Sequence, residues 1–122
     1  MKLISELTYD DVLNAINSVN IKSTDCRLEA VATAVHSILT DNRLAVNIFL
    51  DSEVYEIVRE RLGISYTAAI GRIRSFKNDF MAAHGSRLGV STIPIYVMFR
   101  SLAAIVLYYY WGQWGHSTKP TT

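Results

Sequence analysis

The chain is expected to be all-α, a single compact bundle of five or six helices, on three observations. Apolar residues recur three and four apart through most of the sequence, the period of a helix with one buried face. Those stripes open on Ser, Thr or Asp and close on Asn or Gly, residues that cap or stop helical backbone. Half of the 122 residues are hydrophobic and only two are proline, enough for one core with little to interrupt it.

The first helix opens at Leu7-Thr8-Tyr9-Asp10-Asp11-Val12. Thr8 is the cap, Asp11 the returning acid of a capping box, and Leu7 can staple onto Val12. Val12, Leu13, Ile16 and Val19 then share a face, and the helix should stop near Asn20. Ser23-Thr24-Asp25 starts a second helix with a buried stripe of Leu28, Val31, Val35, Ile38 and Leu39, ended by Asp41-Asn42. Residues 43–50 are read as a short helix. Asp51-Ser52 caps a third helix carrying Val54, Ile57, Val58 and Leu62, and Gly63 provides a left-handed stop.

Ser65 caps the fourth helix, whose face is Ile70, Ile73, Phe76, Phe80 and Met81, with Gly85 as its stop. Ser91 or Thr92 caps the last helix, with Pro94 in its first turn. That helix runs to about Trp111, is broken by Gly112 and Gly115, and is expected to be the most buried of the set. One domain is expected over residues 1–115, with 116–122 as a flexible tail. A weak echo links Arg61-Leu62-Gly63-Ile64-Ser65 to Arg87-Leu88-Gly89-Val90-Ser91, an offset of 26 residues repeated at Arg74-Ser75 and Arg100-Ser101.

Several function classes find no support. His36, His84 and His116 lack ligand spacing, so no metal is expected. The lone Cys26 reads as a buried small hydrophobe, and one cysteine gives no internal disulfide. No phosphate-binding glycine loop or nucleophile elbow occurs. The acids fall in helix first turns or on outer faces, so no catalytic residue, no cofactor and no enzyme are expected. The opening Met-Lys-Leu-Ile-Ser-Glu has no long apolar run, which points to a cytoplasmic address. From Ile93 to Trp111 only Pro94, Arg100 and Ser101 are not apolar, a length that could just span a bilayer. A charge at Arg100, near its middle, is costly in a bilayer. The alternative is a helix buried all round or one buried by a partner chain, which would carry the oligomer or partner contact.

Charge is divided along the chain. Residues 1–58 carry four basic and nine acidic side chains, a net of −5. Residues 59–122 carry eight basic and two acidic, a net of +6. The basic half suggests a polyanionic partner, and the acidic half a separate contact or docking of one half on the other.

The basic side chains gather around one motif. Residues 52–77 resemble the helix-turn-helix of DNA-binding regulators, above all in the Leu62-Gly63-Ile64-Ser65 turn common in sigma-factor-like domains. Arg59 and Ala69 depart from that pattern, standing where a small residue and a larger aliphatic are usual. The resemblance implies that Tyr66, Thr67, Ala68, Gly71 and Arg72 face a major groove. By the same resemblance Arg74 and Lys77 would sit near phosphates, and the basic set Arg59, Arg61, Arg72, Arg74 and Lys77 is of the kind that neutralises them. The bland alternative is a solvated face on which Glu56 and Glu60 pair with Arg59.

The chain also ends in aromatics: Tyr108, Tyr109, Tyr110, Trp111 and Trp114. Tyrosine and tryptophan favour interfaces, and three consecutive tyrosines cannot all face one core. The leading expectation is therefore a small nucleic-acid-binding regulatory protein, with DNA the expected nucleic acid. The alternative is a non-enzymatic interaction module (inhibitor, adaptor or small subunit) docking through its acidic half or aromatic end. Either one is expected to be a homo-oligomer or a subunit. A membrane-anchored protein held by residues 93–111 ranks third.

Overall fold

The computed structural model describes residues 3–41 and 50–112. It is all-α, with five helices: α1 (Tyr9–Asn17), α2 (Asp25–Thr40), α3 (Asp51–Leu62), α4 (Tyr66–Leu88) and α5 (Ile95–Leu107). A 3-10 turn, Ile4–Glu6, precedes α1, and a π-turn, Tyr108–Gly112, continues α5. The described residues contain no strand. The expected short helix at 43–50 lies outside the described residues except for Leu50, which is extended backbone at the cap of α3; Trp114 and the tail lie outside them too.

α1 starts as its sequence dictates. Thr8 Oγ1 accepts from the Asp11 N–H at 3.1 Å, and the Asp11 carboxylate accepts from the Thr8 N–H at 2.9 Å. Leu7 and Val12 are both buried beneath this box. Asn20, at φ 57, is the left-handed stop beyond α1.

α2 is the centre of the bundle. It packs against the four other described helices and the 3-10 turn, but its first turn is open and leaves Cys26 exposed, not buried as expected. Almost every residue from Ala30 to Leu39 is buried; only His36 is half-buried, and its Nε2 donates to the Leu7 carbonyl at 2.8 Å. The small Ala30, Ala32 and Ala34 let neighbouring helices come close on several sides. The last helix is thus not the most buried, contrary to expectation. α5 is more apolar in sequence but lies at the edge of the bundle, with Tyr96, Arg100 and Ala104 exposed.

The turn between α3 and α4 forms as expected. Gly63 is left-handed at φ 63, and the N–H groups of Gly63 and Ile64 both donate to the Arg59 carbonyl. Ser65 Oγ then accepts from the Ala68 N–H at 3.0 Å and opens α4. At the start of α3 the cap lies one residue earlier than expected. Glu53 reaches back to the Leu50 N–H at 2.8 Å, and Asp51 already belongs to the first turn, where its charge suits the dipole.

Two other boundaries differ. Gly85 does not end α4: the helix passes through it to Leu88, and Gly89, at φ 69, makes the left-handed stop. A glycine inside a helix costs only about 1 kcal/mol, and Gly85 is itself buried, while the turn that follows it, Ser86 to Leu88, is exposed. Neither Ser91 nor Thr92 caps α5. Pro94 itself holds the cap position with extended backbone, since its ring already sets φ for the turn that follows. The sequence echo is therefore half realised: Leu62-Gly63 and Leu88-Gly89 end helices alike, but only Ser65 starts one.

The core joins all five helices, with Phe76, Phe99, Ile16, Ile38, Ile73 and Met98 among its largest fully buried side chains. Among the described residues no helix is long and apolar enough to cross a membrane.

Candidate interaction surfaces

Two surfaces were expected to carry function: the corner between α3 and α4, and the aromatic end of α5. Each is built differently from the expectation.

At the corner, the charges are largely spoken for. Arg59 pairs with Glu56 on its own helix, which holds the Glu56 carboxyl below its usual range. Arg61 reaches Asp41 at the end of α2 at 3.1 Å. Arg72 lies 4.0 Å from Glu29 of α2 and is half-buried, not fully exposed. Arg74 is exposed beside the phenol of Tyr55, whose pKa is raised by burial against the opposing pull of that guanidinium. Lys77 donates from Nζ to the Ile93 carbonyl at 3.1 Å and straps α4 to the entry of α5.

The charge division along the sequence thus closes on itself in space. Arg61–Asp41 and Arg72–Glu29 join the basic half to the acidic half, and Asp79 returns the favour by accepting from Arg27 at 3.1 Å. Of the five cations in this stretch, Arg59, Arg61 and Arg72 have a carboxylate beside them, which lowers the positive charge they present, whereas Arg74 and Lys77 form no ion pair with any described residue.

The outer side of the corner carries little charge. Tyr66 sits edge-on against Tyr55, ring centroids 5.9 Å apart, and Thr67 and Gly71 are exposed on α4. Ala68 is half-buried, and Ala69 is wholly buried. A small residue there lets α4 come close, where the regulators' pattern has a larger aliphatic as anchor.

The aromatic end is asymmetric. Tyr108 is 74 % exposed, whereas Tyr109, Tyr110 and Trp111 are half-buried. Tyr110 is docked: its hydroxyl donates to the Asp11 carbonyl at 2.7 Å. Burial, then the nearby Asp11 charge, push its pKa up to about 12. Tyr109 and Trp111 flank it edge-on, at 4.9 and 6.2 Å. This cluster closes α5 onto α1, so among the described aromatics of residues 108–111 only Tyr108 is exposed.

Tyr108 is the last member of a row that sequence reasoning passed over. Tyr96, Arg100, Ala104 and Tyr108 are spaced four apart, and all are exposed. The spacing is legible in the sequence, but the exposure of the row is not. Arg100 forms no ion pair with any described residue.

Among the described residues no cluster of His, Cys, Asp and Glu could hold a metal ion. No protein-family model, curated protein or solved structure matches the chain.

Proposed function

We propose that this chain is a non-enzymatic interaction module that assembles through the outer row of α5, with a second copy as its partner. The observation that carries this reading is the row Tyr96-Arg100-Ala104-Tyr108 on a helix whose other face is core. Tyrosine and arginine are the residues that dominate interface energetics, and a row spaced four apart is the ridge by which helices pack. The row is also self-complementary. In an antiparallel crossing, long Arg100 lies over small Ala104 of the other copy, twice, and Tyr96 approaches Tyr108. A single helix crossing is a small interface, so the expected affinity is micromolar rather than nanomolar.

Sedimentation velocity across a concentration series tests this. The wild-type chain should shift from monomer to dimer. Ala104→Arg brings two guanidiniums together and should leave only monomer. Ala104→Glu meets Arg100 of the other copy and should tighten the dimer. A chain that stays monomeric throughout, or identical behaviour of the two variants, rejects the row as the contact.

A second reading keeps nucleic acid as the partner. It is favoured by Thr67, Gly71 and Arg74, which are exposed on α4 directly after the turn. Exposed ion pairs are weak, so the corner arginines could exchange carboxylates for phosphates. A mobility shift with duplex DNA that falls steeply with salt supports it, and no shift at low salt removes it.

A further inference from the structure

Beyond these surfaces, two hollows meet at one end of the bundle. The first, about 490 Å³, lies between the end of α1 and the end of α5 and is walled by Val19, Ala104, Ile105, Tyr108 and Tyr109. The second, about 590 Å³, lies between the end of α1 and the second half of α4; Lys22, Asp79, His84 and Arg87 supply its titratable groups. Both are lined by Ser18 and Val19, so they adjoin there.

The two lobes differ in chemistry. The first is mostly aliphatic and aromatic carbon. The second holds two exposed cations, Lys22 and Arg87, neither of which forms an ion pair with any described residue. Its one carboxylate is already committed: Asp79 Oδ2 accepts from Ser23 Oγ at 2.5 Å and from Arg27 at 3.1 Å. A wall with two uncompensated cations favours an anion, and the apolar lobe favours burial of carbon beside it. Each lobe is within the usual size range of small-molecule sites.

We infer that this groove binds an amphiphilic anion, with its carboxylate held by Lys22 and Arg87 and its hydrocarbon chain laid over Val19 and Ile105. The ligand class is a monomeric long-chain carboxylate. Ala104 and Tyr108 belong to both the groove and the outer row of α5, so ligand and partner compete for that edge. The site itself rests on Lys22 and Arg87, which the row does not use.

Calorimetric titration with dodecanoate, kept below its micellar concentration, tests the inference. One saturable site per chain is expected. Dodecyltrimethylammonium, with the same chain and the opposite charge, should bind at least about tenfold more weakly, the scale expected for two partly exposed charge contacts. The double variant Lys22→Ala/Arg87→Ala should lose that discrimination. Both side chains are exposed, so it should keep the parent's circular dichroism and melting temperature. Ile105→Asp should weaken both amphiphiles. Equal affinity for the two headgroups, undiminished dodecanoate binding by the double variant, or no saturable site overturns the inference. So does binding seen only with phosphatidylglycerol vesicles, which would indicate a membrane surface and not a ligand site. If the chain proves monomeric, the row on α5 fails while the titration stands.

Discussion

α2 and α5 are the two helices a reader of the sequence would bury, and the bundle treats them differently. α2 mixes small residues with branched ones and is covered on all sides from Ala30 to Leu39, with only His36 half-buried. α5 has the more apolar sequence, yet it leaves Tyr96, Arg100, Ala104 and Tyr108 outside. What separates them is side-chain size. The alanines of α2 admit neighbours on every face, whereas the large side chains of α5 fill one side of the core and leave the other without cover. Hydrophobicity alone does not place a helix at the centre; small residues around its whole circumference do.

The contrast breaks most sharply at matched truncations. Ile38 is fully buried in α2 and Tyr96 is 43 % exposed on α5. Ile38→Ala should destabilise by about 2–5 kcal/mol, because it removes buried methylenes and leaves a cavity. Tyr96→Ala should stay within about 0.5 kcal/mol in dilute, monomeric protein. Chemical denaturation of both reads the difference, and comparable losses would mean that α5 is covered after all.

Glycines mark the same distinction between boundary and interior. Gly63→Val forces a β-branched residue into a left-handed position and should cost on the order of 1–3 kcal/mol. Gly85→Ala should be near neutral or stabilising by up to about 1 kcal/mol. Its new Cβ meets the movable end of Met81 at 3.2 Å, and alanine is the better helix former. Thermal melts of both variants check this. If Gly63→Val melts with the parent, the turn is not there.

Tyr110 tests how firmly the end of α5 is held. Tyr110→Phe loses the hydroxyl bond to the Asp11 carbonyl and should cost about 1 kcal/mol at neutral pH. The folded phenol titrates near 12, above its ordinary value of 10. Its contribution is therefore complete below pH 10 and is lost as pH rises towards 12. Denaturation curves at pH 8 and pH 11 should show the gap between parent and variant narrowing. A constant gap would mean the phenol titrates alike in folded and unfolded chains.

Much of the fold was legible in the sequence because its signals are local. Thr8 with Asp11, Gly63 with Ser65, and the 3.6-residue stripes each need only near neighbours. Gly85 is a poor guide because a glycine stops a helix only where the backbone turns left-handed, and here that residue is Gly89, one exposed turn further on. Pro94 took the cap because its ring had already fixed the backbone. The candidate sites were less legible. Net charge by halves is readable, but whether Arg61 meets Asp41 or open solvent is decided by how α2 lies beside α3. The row on α5 was written plainly at spacing four; its exposure depends on which helix won the centre.

The smallest expected effects lie at the corner, and they decide what its cations are for. Arg61 and Asp41 are 3.1 Å apart, with the arginine about two-fifths exposed. A pair so wetted contributes roughly 0.2–1 kcal/mol, and less at high salt. Arg61→Ala and Asp41→Ala, alone and together, should give a coupling energy of that size by denaturation at low ionic strength, falling towards zero at 1 M salt. A larger and salt-independent coupling would mark the pair as structural. A coupling of zero at low salt would leave Arg61 free for a phosphate. That second outcome, joined to a salt-dependent shift with duplex DNA, would restore the corner over α5 as the working surface. A weak but measurable coupling, with no shift, leaves the corner as the seam by which the acidic and basic halves of the chain hold each other.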